Sequence, residues 1–364
     1  MSIDLSFILC SKNDRYMGNP VRRLENVLNC LADTAIACGV LERVEAVVTD
    51  WGSSQPLGEA VCLSPEACRI VRFVEVPPDL AKIAQADSAY PEVIALNTAA
   101  RHSRGKFVGR IDQDTVVGRE FLVRFFAWCD RKAKPPCDLE KGYLFSLRRQ
   151  IPFAFASSEP NWGGVQDYIA AVGRLLVVER ECKIYFENPV GIMLISKRLW
   201  EEIGGYDERL IYWGWMECDL AYRVQKIADL VDITDDVACS FFHQEHYDPA
   251  TPRVTPRKRN PQNRAPMDRH PNSATWGLKA HAARISTGIG DPKAMPGSAQ
   301  ELVAADATVT AAIRRARRDA FIRYKRFVRE RIWRLFCALF RVASYWEYLK
   351  RVWLAARGRT GFFS

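Results

Sequence analysis

The 364-residue chain has no stretch of about 18 uninterrupted apolar residues, so it offers no helix suited to crossing a bilayer. No basic leader precedes the first apolar segment. Asp4 stands inside "MSIDLSFILCSKNDRY", whose apolar run is too short for a secretory signal, and a cytosolic location is expected. The 11 cysteines form no CxxC pair and no zinc-knuckle spacing, which excludes a disulfide framework and a zinc ribbon and leaves reduced, mostly buried thiols. No Gly-rich loop carrying a phosphate-binding Lys or Arg occurs, which disfavours nucleotidyl transfer. Internal repeats and low-complexity tracts are missing as well.

What charge there is lies unevenly. The formal net charge is +9, and residues 301–364 hold 15 Lys+Arg against 5 Asp+Glu, a local +10 that leaves the preceding chain at −1. A near-neutral body argues against a nucleic-acid groove, and a basic tail argues for an anionic surface as its partner.

The apolar pattern alternates between two periods. "LSFILCS" reads as a buried strand, "VRRLENVLNCLADTAIAC" as a helix, and "RVEAVVTDWGSS" as a strand broken by Gly and Ser. "CRIVRFVEVP" is a third strand, "YPEVIALNTAARHS" a helix and "KFVGRID" a fourth strand. This succession implies βαβ units, a mostly parallel sheet flanked by helices, and an α/β fold. Residues 135–161 are less regular. "ENPVGIMLIS" then reads as a strand, "KRLWEEIGG" and "MECDLAYRVQKIADLV" as helices, and "DVACSFFHQEH" as the last strand. A long loop is expected over 247–300, followed by a helical tail interrupted near Ala343 and Ser344. Ligands of open parallel sheets bind beyond the carboxyl ends of the strands, so Ser11, Asn13, Asp50, Asp112 and Asp114 should line one crevice.

Three constellations carry chemistry. "GRIDQD" ends a strand with Asp112 and Asp114 two apart, oxygen ligands for a hard cation if the chain turns there and a plain solvated turn if it stands alone. "GGYDERLIYWGWMECDLAYR" puts Trp213 and Trp215 around Gly214, beside Glu217 and Asp219. The tryptophans suit either a core or a sugar face, and acids in a first helical turn also serve the helix dipole. "FFHQEH" ends a strand with His243 and His246, two of only five histidines, and either imidazole suits a transition-type divalent ion.

Taken in order, "VVTDWGSS", "ALNTAARHSRGKFVGRIDQD" and "GIMLISKRLWEEIGGYDERLIYWGWMECDLAYR" resemble the family 2 glycosyltransferases, and the last block resembles the C-terminal motif shared by β-1,4-galactosyltransferases and bacterial chondroitin-type polymerases. The resemblance covers about residues 3–280. It implies a GT-A, Rossmann-like fold, with a nucleotide-binding half over about 1–118, an acceptor half over about 119–300, and a basic helical extension over 301–364. It further implies a UDP-sugar donor of Gal, GalNAc or Glc type, a glycan or lipid-linked acceptor, Mn²⁺ or Mg²⁺ as cofactor, and inversion at the anomeric carbon. Asp50 stands where the family's aspartate meets the uracil. Ser11, Asn13, Asn97, Arg110, Asp112 and Gln113 fall on donor-binding positions, Asp112 and Asp114 on the metal-diphosphate motif, and His243 or His246 on the late metal ligand. Trp213, Trp215 and Asp219 fall on the acceptor side.

Two departures stand out. Related chains carry Gly-Trp-Gly-Gly-Glu-Asp or Gly-Trp-Glu-Asp, whereas here the string is Gly214-Trp215-Met216-Glu217-Cys218-Asp219. Aligned on Asp219-Leu220, Glu217 is the base, while a one-residue gap would put Cys218 there. Arg110 occupies a place usually apolar, to pair with an aspartate or to reach the donor sugar. The tail joins arginines to apolar residues at helical spacing, with Tyr345, Trp346, Tyr348 and Trp353 near its end, as suits a peripheral helix on the inner face of an anionic membrane. The rival class is a non-catalytic sugar- or lipid-binding scaffold that keeps the aromatic loop and has lost its base.

Overall fold

The computed structural model describes residues 2–179, 192–248, 250, 258–261, 270–290, 307–333 and 335. It divides into two compact units, Met1–Ala312 and Ile313–Ser364. In the second, residues 313–333 are helical, and the interruption expected near Ala343 lies outside the described residues.

The first unit is a mixed α/β layer structure. Its strands are β1 (Leu5–Ser11), β2 (Val44–Trp51), β3 (Val71–Val76), β4 (Phe107–Arg110), β5 (Thr115–Val117), β6 (Gly142–Phe145), β7 (Arg148–Ile151), β8 (Val177–Glu179), β9 (Met193–Ser196), β10 (Asp229–Asp232), β11 (Phe241–Gln244) and β12 (Ser286–Ile289). The main sheet runs β10-β6-β9-β4-β1-β2-β3-β12, and a smaller one runs β5-β11-β7-β8. At the centre, β4, β1, β2 and β3 are parallel, and β9 and β12 are antiparallel insertions. β2 is buried along its whole length, as expected of a β-branched run covered on both faces.

Side chains alternate across the sheet, so Phe7 and Ile8 of β1 serve opposite faces. Ile8, Val47, Val74 and Val108 pack under the helices Glu92–His102, Lys197–Ile203 and Met216–Val224, through Leu96, Trp200, Ile203 and Leu220. Phe7 meets Phe121 of the helix Arg119–Cys129 on the other face, ring centroids 6.0 Å apart. The described cysteines are free thiols.

The expectations need three corrections. The stretch read as the end of the Met216 helix leaves it after Val224, and Asp229–Asp232 instead pairs in parallel with β6, because sheet pairing overrides a helical apolar spacing. The 247–300 loop contains β12, antiparallel to β3, so β11 is not the last strand. Residues 68–70 of the third strand are the end of a helix, Pro65–Ile70, capped by the Ser64 hydroxyl.

Tight backbone approaches fix how the helices dock. Gly205 has φ +69°, and a Cβ there would fall 2.4 Å from Asn97 Oδ1. Gly205→Ala should therefore destabilise the fold by more than about 1 kcal/mol, read as a lower urea midpoint at unchanged slope.

Candidate active site

β1 and β2 end in register, Ser11 opposite Asp50, and β4 reaches the same edge before running through Ile111–Asp114 into β5. The DxD segment is thus the link by which the chain leaves the main sheet and enters the small one. β11 lies between β5 and β7 and sets His243 opposite Thr115 on one side and Gln150 on the other. Residues about 130 positions apart meet because of this pairing.

Asp114, His243 and His246 form a cluster whose ligand atoms lie within 4.8 Å of one another. His246 Nδ1 is 3.0 Å from Asp114 Oδ2, and His243 Nε2 is 3.4 Å from Asp114 Oδ1. Gln150 Oε1 accepts a hydrogen bond from His243 Nδ1 at 2.8 Å, which leaves Nε2 facing Asp114. Buried Asp114 Oδ1 and His246 Nδ1 have no hydrogen-bond partner of proper geometry. A buried carboxylate oxygen left without a partner beside two imidazoles fits a divalent cation. Burial pushes the Asp114 carboxyl up, but the adjoining His243 and His246 outweigh it and hold the carboxyl well below the usual range.

Asp112 faces elsewhere. Its Oδ1 forms an ion pair with Arg110 Nη2 at 2.8 Å, and its Oδ2 accepts from Arg148 Nη1 at 2.6 Å. Burial raises its pKa, and the two guanidiniums lower it further than burial lifts it. Arg110 is 3% exposed and also pairs with Glu92 and, at 3.2 Å, with Glu217 Oε1. It is an ion-pair hub that reaches three carboxylates, an aspartate among them.

The crevice loops are tied to one another. The Ser11 hydroxyl donates to Gln113 Oε1, and Asn13 donates through its backbone to Ser53 Oγ at 2.8 Å and through Nδ2 to Gln55 O at 3.1 Å. Asp50 is buried at the same edge, where its oxygens accept from the Ser53 hydroxyl and from the Leu57 amide at 2.7 Å, so it brackets the loop after β2. Burial raises its pKa.

Glu217 lies in the first turn of the helix Met216–Val224 and pairs with Arg110; like its neighbours Met216 and Cys218 it is buried. Asp219 is consumed by Arg223, Nε to Oδ2 at 2.8 Å, and Arg223 caps the carbonyls of Ile203 and Gly205. Asn97 is 0% exposed and holds Tyr206 by its N–H and C=O. Trp213 is 58% exposed with the Arg259 guanidinium 4.8 Å over its ring, whereas Trp215 is partly buried near Tyr222. Sequence reasoning missed Glu92, Arg148, Gln150 and Asn260. Asn260 clamps the tryptophan loop with bonds to the carbonyls of Leu210, Tyr212 and Gly214. The charge in an otherwise apolar β4 was the one available signal of the hub.

No family model and no curated relative matches this chain. Among solved structures it is similar to residues 1–349 of TarS from S. aureus, at 14% identity and TM-score 0.42 over 66% of this chain and 60% of that one. It is similar to the same TarS segment in complex with UDP-GlcNAc, at 15% identity and TM-score 0.40 over 67% and 59%. The mannosyltransferase PcManGT from Pyrobaculum calidifontis, in complex with GDP-Man and Mn²⁺, matches at 16% identity and TM-score 0.39 over 69% and 59%. This chain spans about three fifths of the length of these proteins, and likenesses at such scores carry no argument about its chemistry.

The Glu92 carboxyl, with its side chain 37% exposed, is pushed up to about 7: loss of water raises it, Arg110 pulls it down, and the charges of Asp112 and Glu217 push it up again. A carboxyl raised in the folded state from 4.5 favours folding fully below pH 4.5 and loses that contribution as pH rises through 7. The melting temperature of Glu92→Gln relative to the unsubstituted protein should therefore increase between pH 5 and pH 8, as measured by calorimetry across that range.

Proposed function

We propose that the chain is a metal-dependent inverting glycosyltransferase of GT-A type that moves a sugar from a UDP-sugar to a glycan or lipid-linked acceptor, with Glu217 as the base. The observation that carries the reading is the meeting, at the carboxyl edge of the parallel sheet, of the Asp114–His243–His246 cluster with the carboxyl groups of Asp112 and Glu217 held by Arg110. The ordered motif resemblance supports it independently.

Asp114, His243 and His246 would hold the ion, and two imidazoles beside one carboxylate suit Mn²⁺ better than Mg²⁺. Such an ion, when bound, offsets the charge that grows on a departing diphosphate. The loops of Ser11, Asn13 and Gln113 form the donor side of the crevice, with Asp50 shaping the turn behind them. Glu217 Oε takes the proton of the acceptor hydroxyl as that oxygen attacks the anomeric carbon, and the nucleoside diphosphate leaves from the opposite face. Glu217 is preferred to Cys218 for this task because its carboxylate pairs with Arg110, which also holds Asp112 at the sheet edge. Trp213, the exposed aromatic of the loop beside Glu217, suits stacking on an acceptor sugar.

Glu217→Gln should keep the donor KM and lose about 10²–10⁴ in kcat, and Asp114→Ala should lose Mn²⁺-dependent hydrolysis of UDP-sugars. A panel of UDP-sugars with and without Mn²⁺ checks both. Binding of UDP with no hydrolysis of any of them would point instead to a scaffold.

The basic tail is the second part of the proposal. Among the described residues, no helix is long and apolar enough to cross a membrane. Phe321, Ile322, Tyr324, Phe327, Ile332, Trp333 and Leu335 are nevertheless exposed, interleaved with Arg323, Lys325, Arg326, Arg329 and Arg331. That combination suits an anionic bilayer surface, where apolar side chains enter the headgroup layer and each nearby cation adds about 1 kcal/mol. A chain ending at Ala312 should fail to float with phosphatidylglycerol vesicles that carry the full chain, and the full chain's binding should weaken with salt.

A further inference from the structure

We propose that Arg110 is a positioning residue, a single buried guanidinium that sets Glu217 against Asp112 and so fixes the base relative to the edge where the diphosphate is bound. The meaning given to Glu217 rests on the glycosyl-transfer reading above.

Arg110 is an expensive residue in its place. Its strand neighbours in register are Ile8 of β1 and Met193 of β9, and the whole of β4 is buried. A side chain as apolar as those neighbours would pack there without the desolvation cost, which for a guanidinium is several kcal/mol. Arg110 Nε is buried without a hydrogen-bond partner, and so is the hydroxyl of Tyr206. A device built for stability alone would not leave such groups unsatisfied.

The geometry explains what the cost secures. Nη1 meets Glu217 Oε1 at 3.2 Å, while Nη2 meets Asp112 Oδ1 at 2.8 Å and also pairs with Glu92. The guanidinium is planar and rigid, so fixing one arm fixes the other. Glu217 follows a loop in which Gly214 and Trp215 have φ of +80° and +71°, and that loop is clamped at its base by Asn260. Arg110 is the cation paired with Glu217 among the described residues. It links this loop to the strand that delivers the DxD segment, so that base and clamp move as one.

The informative variant is Arg110→Lys, which keeps the charge among three carboxylates and loses the two-armed fork; Arg110→Met tests loss of the charge as well. Both are compared with the full-length protein for melting temperature, for kcat and donor KM with Mn²⁺, and for amide hydrogen exchange across residues 212–218. For Arg110→Lys, kcat should fall about 100-fold while donor KM stays within about threefold. Exchange across 212–218 should rise about tenfold, with the central strands unchanged. Retained kcat in Arg110→Lys overturns the proposal, and so does unchanged exchange whatever kcat does. A purely structural role would lower the melting temperature of both variants and leave kcat of the folded protein intact, which also overturns it. Should the unsubstituted protein turn over no nucleotide-sugar at all, the transfer reading fails, and the exchange measurement still decides whether Arg110 holds the loop.

Discussion

One buried guanidinium governs the arrangement of this protein's working edge. Glu92, Asp112 and Glu217 come from a helix start, a strand exit and another helix start, and carboxylates gathered that closely repel unless a cation lies among them. Arg110 is that cation. Arg148, from β7, takes the second oxygen of Asp112 and so ties the small sheet to the main one by charge as well as by chain connection. Remove the guanidinium and the three elements lose their common anchor, although each would still have its own backbone reason to fold.

The passage of the chain from β4 to β5 explains why two aspartates, one residue apart, have different partners. Asp112 remains with the main sheet and its two arginines. Asp114 stands where β5 begins, and its backbone carbonyl accepts from the Gln244 amide at 2.9 Å, which draws β11 and its histidines alongside. A DxD string read as one clamp therefore divides its labour: the first acid belongs to an ion-pair network, and the second to a cluster fit for a metal. The small sheet exists, in this sense, to bring a late segment of the chain to an early one.

Much of this was legible beforehand. Continuous β-branched runs gave the parallel strands, and the rule that ligands gather at strand carboxyl ends gave the edge on which Ser11, Asp50, Asp112 and Asp114 meet. The residue types of the metal-type cluster were also readable, since histidines are few in this chain. What sequence could not show is how a polar side chain spends its hydrogen bonds. Asn97, Asp50 and Asp219 occupy motif positions associated with ligands, and here they also accept from the Tyr206 amide, from Ser53 and Leu57, and from Arg223. Short strands such as β10 and β12 went unread because their stability comes from partners distant in sequence.

The tryptophan loop shows the same logic in the backbone. Trp215 sits at φ +71° as the cap of the helix that carries Glu217, a left-handed conformation costing a bulky residue about 1–3 kcal/mol. Asn260 offsets that cost from outside the loop, donating to Leu210, Tyr212 and Gly214 and receiving the Tyr212 amide at 2.9 Å. From inside, the Trp215 carbonyl accepts from the Asp219 amide at 2.9 Å and starts the helix. A relaxed loop would begin the helix at another angle and carry Glu217 away from Arg110. The strain in one residue and the buried charge of another thus serve the same end, since each holds a single carboxylate where the edge of the sheet requires it.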